Sequence, residues 1–245
     1  MHWDIIIPKQ SLVFLLGVVV LLEIHQKHFR KWHNPFSNFN WKHSLHILLA
    51  SLAAAGIVLF FDMELIRSIR DFDSDFKVNA AEFGRFFGRS HGTWGVLAAL
   101  YMLGYLFKNR TLSHTALFAI VSSCITGLIA HLLKFIFLRA RPYKDLGAFN
   151  FFDLHGFMEH DRGFQSFPSG DVAISAGAMI YLFTRIKQPI LRVIFLIIPF
   201  LTALSRVNLN RHWPSDTLFS IGLGFAIAII VHHFADANQK KELTV

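Results

Sequence analysis

Seven apolar runs divide the chain, at Ile5–Ile24, Ser44–Phe61, Gly92–Phe107, Thr115–Leu133, Val172–Thr184, Pro189–Leu204 and Thr217–Phe234. Almost none of them has polar residues at the three- and four-residue spacing that would give a soluble helix one wet face. A run that is apolar on every side predicts a helix surrounded by lipid or by other helices. A span takes about 20 predominantly apolar residues. Three of the seven runs fall below the lower end of the span range, roughly 17 residues, and polar residues at their ends extend them into the headgroup layer. The expected fold class is all-α, a polytopic membrane helix bundle.

Composition agrees with the pattern. The chain has 245 residues, 53% of them hydrophobic and only 16% charged, where soluble domains carry roughly 25% charged residues. Its single cysteine, Cys124, lies inside an apolar run, which excludes an internal disulfide. The net charge of +8 suits an anionic lipid surface and is no sign of nucleic acid binding. No tandem repeat or low-complexity tract interrupts the chain. Three regions are expected: a hydrophobic segment with a basic loop at 1–43, a six-helix core at 44–234 and a cytoplasmic tail at 235–245. The first run carries Pro8 and Lys9, is preceded by Asp4, and is followed by His25, Lys27, His28, Arg30 and Lys31. That charge order opposes a signal peptide and predicts an uncleaved segment ending in the cytoplasm.

By alternation, the gaps 25–43, 108–114 and 185–188 share one side with the tail, and 62–91, 139–171 and 205–216 share the other. Basic residues are dense in the short loops of the first set, including Lys108, Arg110, Arg185 and Lys187. In the second set they are spread out and mixed with Asp62, Glu64, Asp71, Asp73 and Asp75. Density in short loops puts the first set in the cytoplasm. The gap 62–91 places Leu65, Ile66, Ile69, Phe72, Phe76 and Phe83 among charges. Such a stretch is expected to lie along the headgroups, either as a plain connector or as a cap over a lipid entry site.

The candidate chemistry falls in the second set of gaps. Lys134 and Arg141 are seven residues apart, two helical turns, so both are expected to project from one helix face, with Pro142 disfavouring further helix at Arg141 and marking the exit from the membrane. Pro168-Ser169-Gly170-Asp171 opens the next run and reads either as an anion-binding helix start or as an ordinary cap. In the stretch Ser205–Asp216, Arg206 offers a planar fork for phosphate oxygens. His212 is followed four residues later by Asp216, a carboxylate able to hold one imidazole nitrogen and leave the other free to attack.

Taken together these elements resemble the type 2 phosphatidic acid phosphatase (PAP2) family, which shares its site with vanadium haloperoxidases. The family pattern is Lys, six residues, Arg-Pro; then Pro-Ser-Gly-His; then Ser-Arg, five residues, His, three residues, Asp. Here it reads Lys134 to Arg141-Pro142, Pro168 to Asp171, and Ser205-Arg206 to His212 and Asp216. The resemblance covers roughly residues 44–234. It implies a membrane lipid phosphatase in which His212 forms a phosphohistidine and Asp216 orients it. Lys134, Arg141, Ser169, Gly170 and Arg206 would hold the phosphoryl oxygens, with no metal and no other cofactor. The implied partners are a phosphorylated membrane lipid and the bilayer, and the expected place is a bacterial inner membrane with the site on its outer face. A lipid A-type glycolipid phosphate or undecaprenyl diphosphate is the favoured substrate. Asp171 departs from the pattern, standing where the family has the histidine that protonates the leaving group. Asp171 could be that acid; His155 or His160 could replace it; the leaving group could need none; or the protein could be catalytically weak. A phosphotransferase and a non-catalytic lipid-phosphate carrier are the rival functions.

Overall fold

Six of the seven apolar runs fall within the computed structural model, which describes residues 41–72, 74–154, 158 and 161–242. Each of the six is a helix. The first run lies outside the described residues. In chain order the helices are α1 (Trp41–Leu59), α2 (Asp62–Asp71), α3 (Asp75–Gly88), α4 (Ser90–Leu106), α5 (Arg110–Phe137), α6 (Gly170–Arg185), α7 (Pro189–Asn208) and α8 (Pro214–Glu242). The described residues are therefore all-α, as the pattern predicts.

Four helices, α1, α5, α7 and α8, are long and apolar enough to cross a membrane. The chain is an integral membrane protein. The helices α4, with 17 residues, and α6, with 16, are shorter than these four. The shortness of α6 has a structural reason. At 1.5 Å per residue it is roughly 24 Å long, and it lies at the centre of the bundle against α5, α7 and α8. Its first residue, Gly170, borders a cavity that opens at one end of the bundle. The helix thus starts below the surface instead of reaching it. Small residues permit this tight surrounding. A Cβ on Gly177 would fall 2.5 Å from Thr126 Oγ1, and one on Gly224 the same distance from Ala176 Cβ. Close backbone approach of this kind is the usual way membrane helices gain packing.

The 62–91 gap is not a plain surface strap. It folds into α2 and α3, and α3 packs along α7. A Cβ on Gly84 would lie 2.0 Å from the Leu201 carbonyl oxygen, so only glycine allows the contact. Thr202 Oγ1 donates to the Gly84 carbonyl at 3.1 Å across the same joint. Leu65, Phe72, Phe83 and Phe86 remain exposed on the outer side of the pair. Asp62, counted from sequence among loop acids, is instead fully buried at the start of α2.

Candidate active site

The three gaps assigned to one side meet at one end of the bundle, around a cavity of about 430 Å³. Lys134 reaches it from the last turn of α5. Arg141 does not share a helix face with Lys134, although their seven-residue spacing suggests it. The helix stops at Phe137, and Leu138 takes a left-handed conformation with φ 42°. Arg141 is extended, with φ −75° and ψ 155°, as a residue before proline must be. Cross-links fix this segment: Ala140 N donates to Asn150 O at 3.0 Å and Arg141 N to Gly163 O at 2.8 Å. Both side chains line the cavity even though no single helix face joins them.

His212 sits in the loop before α8 and is 4% exposed. Its Nδ1 lies 2.8 Å from the Ser166 carbonyl oxygen. A carbonyl only accepts, so Nδ1 carries the proton, and Nε2 is the nitrogen left for the cavity. Burial pushes the imidazole down to about 4, against the pull of the Asp216 carboxylate in the other direction. The ring is therefore neutral at ordinary pH. Asp216 Oδ2 stands 3.6 Å from Nδ1, beyond hydrogen-bond range. The contact that fixes the ring is the Ser166 carbonyl, with the carboxylate behind it.

Asp216 is itself tightly held. Its Oδ2 accepts from Ser166 Oγ at 2.5 Å and from Trp213 N at 3.0 Å. Its Oδ1 pairs with the Arg139 guanidinium. Arg139 is fully buried and also binds Asp62 Oδ2 at 2.7 Å and the Ala148 carbonyl at 2.7 and 3.0 Å. Asp62 in turn accepts from Ser215 N at 2.9 Å and Ser215 Oγ at 2.5 Å, tying α2 to the start of α8. Burial raises the Asp62 carboxyl above the usual carboxylate range, while bonds from Ser215 and Arg139 pull it down. Phe151 and Trp213 close over the guanidinium, with ring centres 4.7 and 5.4 Å from Cζ.

Of the remaining predicted residues, Lys134, Arg141, Gly170, Asp171 and Arg206 line the cavity with His212, and Ser169 is buried directly before Gly170. Ser169 is the N-cap of α6, yet its side chain makes no capping bond. Its Oγ is buried without a partner, as are Arg141 Nε and Arg206 Nε. Buried donors left unmade are costly, and two on cavity-lining arginines, with a third on the residue just before Gly170, mark where an anion's oxygens would go. The first turn of α6 adds backbone N–H groups at Gly170, which lines the cavity beside Lys134. Lys134 Nζ donates to Gln165 O at 2.7 Å. Asp171 lines the cavity in an ion pair with Arg206, 2.9 Å between Oδ2 and Nη1. His155 and His160 lie outside the described residues.

Arg139 and Asp62, which brace Asp216, escape sequence reasoning, and so do Arg85, Arg89 and Arg211 at the mouth of the cavity. One signal existed for two of them: Arg85 and Arg89 are four apart in the amphipathic 62–91 stretch, on one helical face.

Residues 115–240 match the profile of the PAP2 superfamily, just over half of the chain. Two proteins named lipid A 1-phosphatase, from Rhizobium etli and Rhizobium johnstonii, are each 35% identical over 101 residues. The match covers 40% of this chain and only 41% and 39% of those relatives. Among solved structures, the crystal structure of Aquifex aeolicus LpxE aligns with a TM-score of 0.49 at 20% identity, covering 69% of this chain and 93% of that one.

Proposed function

The chain belongs to the PAP2 superfamily, and on that premise we propose that it removes phosphate from a membrane lipid through a phosphohistidine on His212. The observation that carries this reading is the buried, neutral imidazole with Nδ1 committed to Ser166, among donors that lack partners. Nε2 attacks phosphorus, an N–P bond forms, and the P–O bond to the lipid breaks with its electron pair leaving on oxygen. Lys134, Arg141, Arg206, Ser169 and the Gly170 N–H hold the transferring oxygens. Phosphoryl transfer needs chiefly such positioning and charge stabilisation. The positive charge that develops on the ring is answered by the Ser166 carbonyl and by Asp216 behind it. Water then attacks the adduct, releasing phosphate and restoring the imidazole.

The names of the two rhizobial relatives favour a lipid A-type glycolipid phosphate as substrate, with a polyprenyl diphosphate next. The core is residues 44–234, the setting an inner membrane, and the cavity faces the periplasm. The test is phosphate release by the purified protein in detergent from a panel of lipid phosphates, with and without EDTA. Release should survive the chelator and vanish in His212→Ala. Rapid quenching should trap an acid-labile phosphoryl label on the wild type alone. Turnover by His212→Ala, or release that needs added magnesium, overturns the mechanism. Passage of the label to an acceptor lipid instead of water would make it a phosphotransferase.

A further inference from the structure

The cavity holds more positive charge than one phosphate uses. A phosphate monoester carries about −1.5 to −2 near neutral pH. Lys134, Arg141 and Arg206 already match that charge in the inner part, less the Asp171 carboxylate paired with Arg206. Three further arginines line the same cavity, Arg89 and Arg211 exposed and Arg85 half-buried. They come from two places far apart in sequence, the end of α3 and the loop before α8.

Their convergence is built by packing. The contact of Gly84 with the Leu201 carbonyl and of Gly88 with Thr202 presses α3 onto α7. The end of α3 is thereby held beside Arg206. Arg85 is steadied by Glu82 at 3.0 Å, and Arg211 lies over the Tyr143 ring at 5.5 Å. Among the described residues, no carboxylate lies within ion-pair distance of Arg89 or Arg211. All three are arginines, whose planar fork binds phosphate oxygens two at a time. The cavity volume is also that of a small-molecule site, within the roughly 300–1,000 Å³ range, not of a single phosphate ion.

We propose that Arg85, Arg89 and Arg211 form a second anion subsite, which takes a phosphoryl group directly joined to the scissile one, so that on a given lipid a diphosphate headgroup is preferred to a monophosphate. This rests on reading the inner cavity as the phosphate site. The terminal phosphate lies against His212, and the lipid-side phosphate lies at the mouth. When Nε2 bonds to the terminal phosphorus, the bond to the bridging oxygen breaks, and the electron pair stays on the lipid monophosphate. The mouth arginines stabilise that charge as it forms. The leaving group departs ionised and needs no proton, which suits a cavity with Asp171 where a histidine acid would stand.

The test separates binding from turnover. Inorganic phosphate and pyrophosphate are titrated calorimetrically against the purified full chain at fixed ionic strength. Pyrophosphate should bind at least about tenfold tighter, the worth of one or two added charged hydrogen bonds. The double variant Arg89→Gln, Arg211→Gln should lose most of that gap and change phosphate affinity much less. Arg89→Lys, Arg211→Lys should regain part of it. Equal weakening for both probes, as general electrostatic attraction would give, or no weakening at all, overturns the subsite. Should the double variant melt far below the wild type, Arg211→Gln alone, exposed in a loop, carries the same comparison. Matched lipid mono- and diphosphates then report turnover. A pyrophosphate preference without phosphate release from any lipid would sink the hydrolase reading and leave the subsite standing.

Discussion

A histidine attacks phosphorus only through an unprotonated nitrogen, and here burial does what a basic pH would otherwise do. His212 is held at about 4, where a free imidazole titrates near 6.5. Diethylpyrocarbonate, which reacts with neutral imidazole, should therefore inactivate the protein with a midpoint near pH 4. A midpoint near 6.5 would place the ring in water and contradict the buried geometry. The same shift has a stability consequence. The unfolded imidazole takes up a proton below about 6.5 that the buried one refuses, so stability falls as pH drops from 6.5 towards 4. Asp171 poses the other question at this scale. Its ion pair with Arg206 makes it a positioning partner for a phosphate-binding guanidinium, whereas general acid catalysis is worth roughly 10²–10⁴-fold. Asp171→Asn keeps the shape and can still accept a hydrogen bond from Arg206. A loss under about tenfold, with an unchanged pH–rate profile, is expected if positioning is its task. A loss of 10² or more, together with a vanished alkaline limb, would make it the acid.

Between elements, the decisive joint is the buried Arg139, which draws the start of α2, the loop after α5 and the start of α8 to one point through Asp62, Ala148 and Asp216. Buried ion pairs often add little net stability, but removing one partner leaves charge stranded. Arg139→Met would strand two carboxylates, Asp62 and Asp216, and should cost about 3–5 kcal/mol in unfolding free energy. Because Asp216 backs His212, kcat should fall as well, with KM moving less. A variant as stable and active as the wild type would show that the network is dispensable. This joint also marks the limit of what the sequence discloses. Lys134, Arg141, Ser169, Arg206, His212 and Asp216 were legible because their spacing repeats a pattern tied to a local chemistry. Arg139 lies only two residues before Arg141, and its partner Asp62 is 77 positions upstream. Nothing in either neighbourhood announces the pair, since only tertiary packing brings them together. The helical reading of Arg141 failed for a related reason: seven-residue spacing suggests a shared helix face, but Leu138 turns the chain first.

At the scale of the whole molecule, the runs of apolar residues located the helices well, because a lipid-facing or bundle-facing helix needs no polar stripe to declare its period. They were poorer guides to which helices reach across. The α6 run looked like a short span and is a central strut that begins beneath the cavity. Alternation of the gaps had a sharper consequence, since residues from 62–91, 139–171 and 205–216 do line one cavity at one end. Which face of the membrane that end meets rests on charge density alone. Because short loops rich in Lys and Arg are retained in the cytoplasm, the cavity is expected to open on the outer face, towards substrates in the outer leaflet. Asp145 is exposed on the cavity side, in the loop that follows Arg141, and Lys187 is exposed in the short loop between α6 and α7. In a Cys124→Ser background, a membrane-impermeant thiol reagent applied to intact cells (or to spheroplasts where an outer membrane intervenes) should label Asp145→Cys and spare Lys187→Cys. Permeabilisation should expose both. Labelling of Lys187→Cys alone would turn the molecule over, place the arginine-lined mouth in the cytoplasm, and restrict its substrates to lipid phosphates of the inner leaflet.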